Sequence, residues 1–138
     1  MTGKKTINWT LNVNIPGGPS ISGSKPLDVE AYDVIELEIP KKQTTEILIE
    51  PSENTKVKFL LIKAEPSGDL LSYQVSDGTK HTEDIVLDVP MHIYIGTGCV
   101  KALQYSPKSL SFTNGMKNDK DEDVPVSLQI LVGRDATS

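Results

Sequence analysis

The sequence predicts an all-β domain, and three observations carry that expectation. Apolar and polar side chains alternate with a two-residue period from Thr6 to Val132. Pro, Gly, Asn or Asp breaks the alternation roughly every ten residues, the spacing of short strands and turns. No segment sustains the 3.6-residue apolar period of an amphipathic helix. Successive strand side chains point to opposite faces, so such a pattern buries one face and wets the other. An antiparallel β-sandwich of roughly nine or ten strands follows, with jelly-roll topology as the expected arrangement and an up-and-down barrel as the second.

Each element has its own local reason. Ile7, Trp9, Leu11, Val13 and Ile15 alternate in the first strand. Pro16-Gly17-Gly18-Pro19 ends it, as a loop or a corner where the chain changes sheets. Short extended pieces are expected around Ser20 to Ser22 and Pro26 to Ala31. Ile35, Leu37 and Ile39 alternate with Glu36 and Glu38, and Pro40 to Gln43 turns this strand into Thr44 to Glu50. So short a connection predicts antiparallel pairing of the two.

Lys56 to Ala64 is the next strand, and within it Phe59-Leu60-Leu61-Ile62 is apolar on both faces. A strand covered on both sides sits centrally, under another layer or another chain. Leu70 to Ser76 leads to Asp77-Gly78, a dipeptide suited to the positive φ angles of a tight hairpin turn. Pro90 makes Ile85 to Ile95 two short strands, or one kinked edge strand, because proline cannot donate to a central ladder. Val100 to Tyr105 and Ser109 to Thr113 are expected as strands, and Val124 to Val132 closes the pattern.

The 138 residues are expected to form one domain, 1–138, with short flexible termini at about 1–5 and 134–138. A net charge of −5 and few aromatic residues argue against a nucleic-acid backbone, a base-stacking surface or a sugar platform. Cys99 is the single cysteine, so no internal disulfide forms; a small buried thiol is its expected role. No signal peptide or membrane span is visible, which leads to a cytoplasmic expectation.

Candidate chemistry is sparse. Asp119, Asp121 and Asp123 alternate like the start of a Ca²⁺ loop. Val124 and Ile130, however, stand where that loop needs Gly and a bidentate Glu, so these three are weak metal candidates. His81, His92 and Cys99 match no zinc spacing, and His92, between Met91 and Ile93, is expected to point away from the core. No nucleophile elbow or phosphate loop occurs, so the expectation is a non-enzymatic protein without a cofactor.

The expected function is structural. A β-sandwich subunit would assemble with copies of itself, as in virion-like particles by analogy of fold alone. The alternative is a small-ligand or carbohydrate-binding sandwich using the loops at Pro16 to Ser24 and Gly96 to Gly98. Val34, Leu48, Leu60, Ile62 and Leu70 break the polar face of their strands and are the interface candidates. The competing expectation is that the Pro16 to Leu27 loop folds across the patch and buries it.

Overall fold

A computed structural model of the chain describes residues 5–49, 55–103 and 107–136. The strands are β1 (Lys5–Ile7), β2 (Thr10–Asn14), β3 (Ser20–Ser24), β4 (Leu27–Val29), β5 (Ala31–Ile39) and β6 (Thr44–Leu48). They continue as β7 (Thr55–Glu65), β8 (Leu71–Ser76), β9 (Ile85–Val86) and β10 (Met91–Ile95), then β11 (Ser109–Asn114) and β12 (Val126–Ala136) after one short helix, α1 (Thr97–Leu103). Eight of the strands form two packed antiparallel sheets, ordered β10-β7-β12-β5 and β6-β11-β8-β9.

The connectivity is that of one long hairpin folded over itself. β8 pairs with β9 at its tip, and β7 with β10, β6 with β11 and β5 with β12 follow outward in nested order. Pairings of β12 with β7 and of β11 with β8 then join these ribbons into the two sheets. Successive strands from β5 to β8 therefore alternate between sheets. The expected pairing of β5 with β6 does not occur. Pro40 to Gln43, with Lys42 at a φ of 60°, carries the chain across the sandwich edge instead of back along one sheet.

The core lies between the sheets. Ile39, Leu60, Ile62, Ile130 and Val132 face Leu71, Tyr73, Val75, Leu110 and Phe112, all buried. Burying each large aliphatic side chain contributes about 1.5–3 kcal/mol, so this layer supplies most of the fold's stability. Buried Asn114 fixes one corner: its amide donates to the carbonyls of Val124 (2.9 Å), Ile39 and Pro40 (each 3.3 Å), and its Oδ1 accepts from the Met116 amide at 2.9 Å. Every polar atom of that side chain is thereby satisfied, which is what makes a buried amide tolerable.

Three further expectations are corrected. Residues 97–103 are helical, where a strand was expected from Val100 to Tyr105. Gly96, at a φ of 91°, turns the chain and its carbonyl accepts from the Val100 amide, so Val100 and Leu103 pack on the core while Cys99 is exposed. Seven residues are too few for a helical period to stand out. Of the two expectations for Pro16 to Pro19, the loop holds and the change of sheet does not: the segment is the tip of the β2–β3 hairpin, where the Gly18 amide donates to the Ile15 carbonyl at 2.8 Å and Pro16 precedes Gly17 at a φ of 76°. Proline followed by a positive-φ glycine is the sequence of a type II turn. Finally, Arg134 and Asp135 belong to β12 and not to a flexible tail. Buried Arg134 donates to the Ile49 carbonyl at 2.9 Å and pairs with Asp33. Tyr105 falls outside the described residues.

Candidate interaction surface

The outward-facing side of the β10-β7-β12-β5 sheet carries a row of four apolar side chains. Ile93 stands opposite Leu61, Leu61 opposite Leu131, and Leu131 opposite Val34, so the row crosses every strand of the sheet. Directly opposed residues share a face, and the neighbours of these four along each strand point to the opposite face of the sheet. Val34 is 54% and Ile93 38% exposed, with Leu61 and Leu131 partly exposed between them. Below the row lies a polar rank of Lys63, Gln129 and Glu36 beside exposed Met91. An open groove of about 460 Å³ follows that polar end, lined by Glu36, Glu38, Lys63, Glu65, Ser127 and Gln129, and no aromatic ring contributes to it.

Above the row the sheet is covered. Phe59, Gly133 and Tyr32 share the next rank; Ile7 of β1 and Val29 of β4 lie over Gly133, while Tyr32 on the edge strand stays half exposed. A Cβ built on Gly133 would approach Ile7 Cδ1 to 2.8 Å and Val29 Cγ1 to 3.0 Å, so this cover needs glycine beneath it. Charge fixes it in place. Lys58 Nζ lies 2.9 Å from Asp135 and donates to the Asp28 carbonyl at 2.7 Å, while the Glu30 amide donates to Asp135 Oδ1 at 2.9 Å.

β1 and β4 are the root of a longer hairpin. Lys5 pairs with Val29 and Ile7 with Leu27; beyond Asn8-Trp9 and Lys25-Pro26 the same register resumes at Thr10 with Ser24 and runs to Asn14 with Ser20. Pro26 has no amide hydrogen, which accounts for the break in the ladder. The root is held on the sheet, but every residue of β2 and β3 is exposed. Leu11, Val13 and Ile15 are each about half exposed and Ile21 is 68% exposed. Val13 opposes Ile21 and Leu11 opposes Gly23, on which Trp9 rests, so these residues line one face.

The interface candidates separate on this framework. Val34 belongs to the apolar row. Leu60 and Ile62 are fully buried between the sheets and unavailable to a partner of the folded domain. Their neighbour Leu61 takes the outward position. Leu48 is exposed, but on the opposite sheet, where the outward rank reads Leu48, Ser109 and Ser76. Leu70 is exposed in the turn before β8, its carbonyl accepting from the Gly115 amide. Val34, Leu48 and Leu70 thus do not form one patch. Nor does the Pro16 to Leu27 segment fold across the face, since β3 is exposed throughout.

His92 points inward, contrary to expectation. Its Nδ1 lies 2.7 Å from the Tyr73 hydroxyl, which also bonds the Tyr94 hydroxyl. β10 is inverted: His92 and Tyr94 supply partners for a phenol buried by the opposite sheet, and apolar Met91 and Ile93 face out. Burial lowers the His92 pKa below its ordinary value, opposed by the charge of Asp88, and burial raises both tyrosines. All three groups are therefore neutral near pH 7.

The acidic segment forms a tight turn. Asn118 Oδ1 accepts from the amides of Lys120 (2.9 Å) and Glu122 (3.0 Å). Lys42 and Lys117 lie 3.1 and 3.6 Å from Asp123, and Lys117 lies 3.8 Å from Asp121. The bond to Lys42, with Lys117 nearby, holds the Asp123 carboxyl below its ordinary range. Asp119 is exposed beside them. Lysines already engage two of the three carboxylates, and among the described residues no group of three His, Cys, Asp or Glu side chains is placed to hold a metal ion.

The sequence matches no protein-family model and none of the curated proteins. No helix among the described residues is long and apolar enough to cross a membrane.

Proposed function

We propose that the protein is a non-enzymatic structural subunit that assembles with copies of itself through the outward face of the β10-β7-β12-β5 sheet. The single observation that carries this reading is the row Ile93–Leu61–Leu131–Val34. An apolar stripe across a whole sheet, exposed and bordered on one side by Lys63 and Glu36, has the composition of an interface core beside a polar rim. Cyclic association of identical copies is the commonest way to cover such a stripe.

The nested pairing from β5·β12 to β8·β9 supports jelly-roll topology as the finer description of the sandwich, a fold common in shell-forming subunits. That analogy is one of fold alone. The Tyr73–His92–Tyr94 cluster supports a packing role over acid–base chemistry, because its groups are shifted away from neutrality in the direction that keeps them uncharged. The groove beside the row lacks the rings on which a sugar would stack, so it lends the carbohydrate-binding alternative little support.

Two charge insertions on opposite sheets test the proposal. Leu61→Glu places a carboxylate in the row, and Leu48→Glu places one on the other outward face. The first is expected to convert the assembly to folded monomers while the second leaves its mass unchanged. Equal mass for both variants and the wild type would overturn the assignment of the face.

A further inference from the structure

We propose that the β2–β3 hairpin is an assembly arm that docks its apolar face on the Ile93–Leu61–Leu131–Val34 row of a second copy of this chain. The proposal rests on the self-assembly reading above and names the element that makes the contact.

The arm's exposure, composition, edges, charge and dimensions lead to it. The arm cannot be stable for its own sake: a lone two-stranded ribbon is marginal in water, and this one exposes Leu11, Val13, Ile15 and Ile21 on ten strand residues and a turn. Its composition is set apart from the rest of the chain. No charged residue occurs from Thr6 to Ser24, in a protein with 14 basic and 19 acidic residues. Exposed strand edges are ordinarily guarded by charge, and among the described residues both outer edges of this ribbon lie unpaired and unguarded. An edge left so is suited to contact with protein.

Electrostatics selects a copy of the same chain. Subunits of net charge −5 repel through most of their surface. Neither the arm nor the row carries a charge, so bringing them together desolvates no carboxylate and opposes no like charges. Lys63 and Glu36 stay at the rim, one rank below the row.

Dimensions agree. Leu11 to Ile15 spans four strand steps, about 14 Å, and a row across four strands at their usual spacing is also about 14 Å long. A stable pair needs about 800 Å² from each partner, more than a four-residue row or a single ribbon face offers. Arm and row exchanged together enlarge the contact on every subunit. The root of the arm lies on the rank immediately above the row, so subunits that meet face to face at the sheet bring each arm within reach of its neighbour.

The test combines mass with cross-linking. The triple variant Leu11→Ser, Val13→Ser, Ile21→Ser changes side chains that the sandwich core does not use. It is expected to run at the 15.1 kDa of one chain with an unchanged β spectrum. In a Cys99→Ser background, a Val13→Cys protein mixed with a Val34→Cys protein is expected to form a mixed disulfide dimer. Asn12→Cys, on the other face of the arm, is expected to cross-link at least tenfold less. If the wild type is itself a monomer, the self-assembly reading falls and this one with it. If the triple variant keeps the wild-type oligomeric mass and the cross-link does not depend on the arm face, only the arm is refuted.

Discussion

Replacing Gly133 by alanine should loosen the arm's root without unfolding the sandwich. The added Cβ would lie 2.8 Å from Ile7 Cδ1, 3.0 Å from Val29 Cγ1 and 3.3 Å from Phe59 Cβ. The first contact is the flexible end of a side chain and can rotate away. The second belongs to a β-branched residue that is fully buried, and the third is fixed close to the β7 backbone. Overpacking of this kind costs about 1–3 kcal/mol, offset by about 0.5–1 kcal/mol because alanine restricts the unfolded chain more than glycine. The net expectation is a destabilisation of up to about 2.5 kcal/mol, centred on about 1 kcal/mol. Gly133→Val adds two methyl groups at the same place. Its strain should exceed the roughly 1.5–3 kcal/mol gained by burying Val29, so the root should lift from the sheet. Trp9, the single tryptophan, joins the root to the arm and reports this locally by fluorescence, while circular dichroism follows the sandwich in the same urea titration. Two separated transitions are expected for the valine variant. An alanine variant at least as stable as wild type, with unchanged Trp9 emission, would refute the close approach.

Arg134→Met should cost about 1–3 kcal/mol in urea unfolding, because it leaves the Ile49 carbonyl unpaired in a buried position. Asp33→Asn should cost less than about 1 kcal/mol, since Asp33 is half exposed and can turn to water. His92 titrates below the ordinary 6.5 in the folded protein, so the unfolded chain protonates first. Stability is then full above about pH 6.5 and falls as the pH drops through that value towards the lower folded pKa. The urea midpoint should therefore fall more between about pH 7.5 and 5.5 in the wild type than in His92→Gln. Asp121 has a φ of 63°, so Asp121→Gly should leave the thermal midpoint unchanged or raised while Asp121→Ala lowers stability by about 1 kcal/mol.

Much of the fold was legible in the alternation, because a strand with one buried face must alternate. Pro90 divided β9 from β10 as its missing amide requires, and Asp77-Gly78 marked the β8–β9 hairpin, where Asp77 Oδ1 accepts from the amides of Thr79 and Lys80. Sheet membership was not legible. A turn sequence such as Pro40 to Gln43 dictates that the chain reverses, not whether it returns along the same sheet or crosses to the other. The doubly apolar β7 was readable as a central strand, but choosing which parity faces out needed the charges. Lys63 and Glu65 share the parity of Leu61, and that signal would have placed Leu61 in the row and Leu60 and Ile62 in the core. β10 misled for the opposite reason. Its apolar residues face outward because Tyr73, on a strand far off in sequence, requires polar partners inside.

The mass of the wild-type protein in solution decides whether the apolar row is covered by a second copy. Sedimentation equilibrium at micromolar concentration is expected to give an integral multiple, two or more, of the 15.1 kDa chain. A single species of 15.1 kDa across that range would contradict self-assembly through the apolar row.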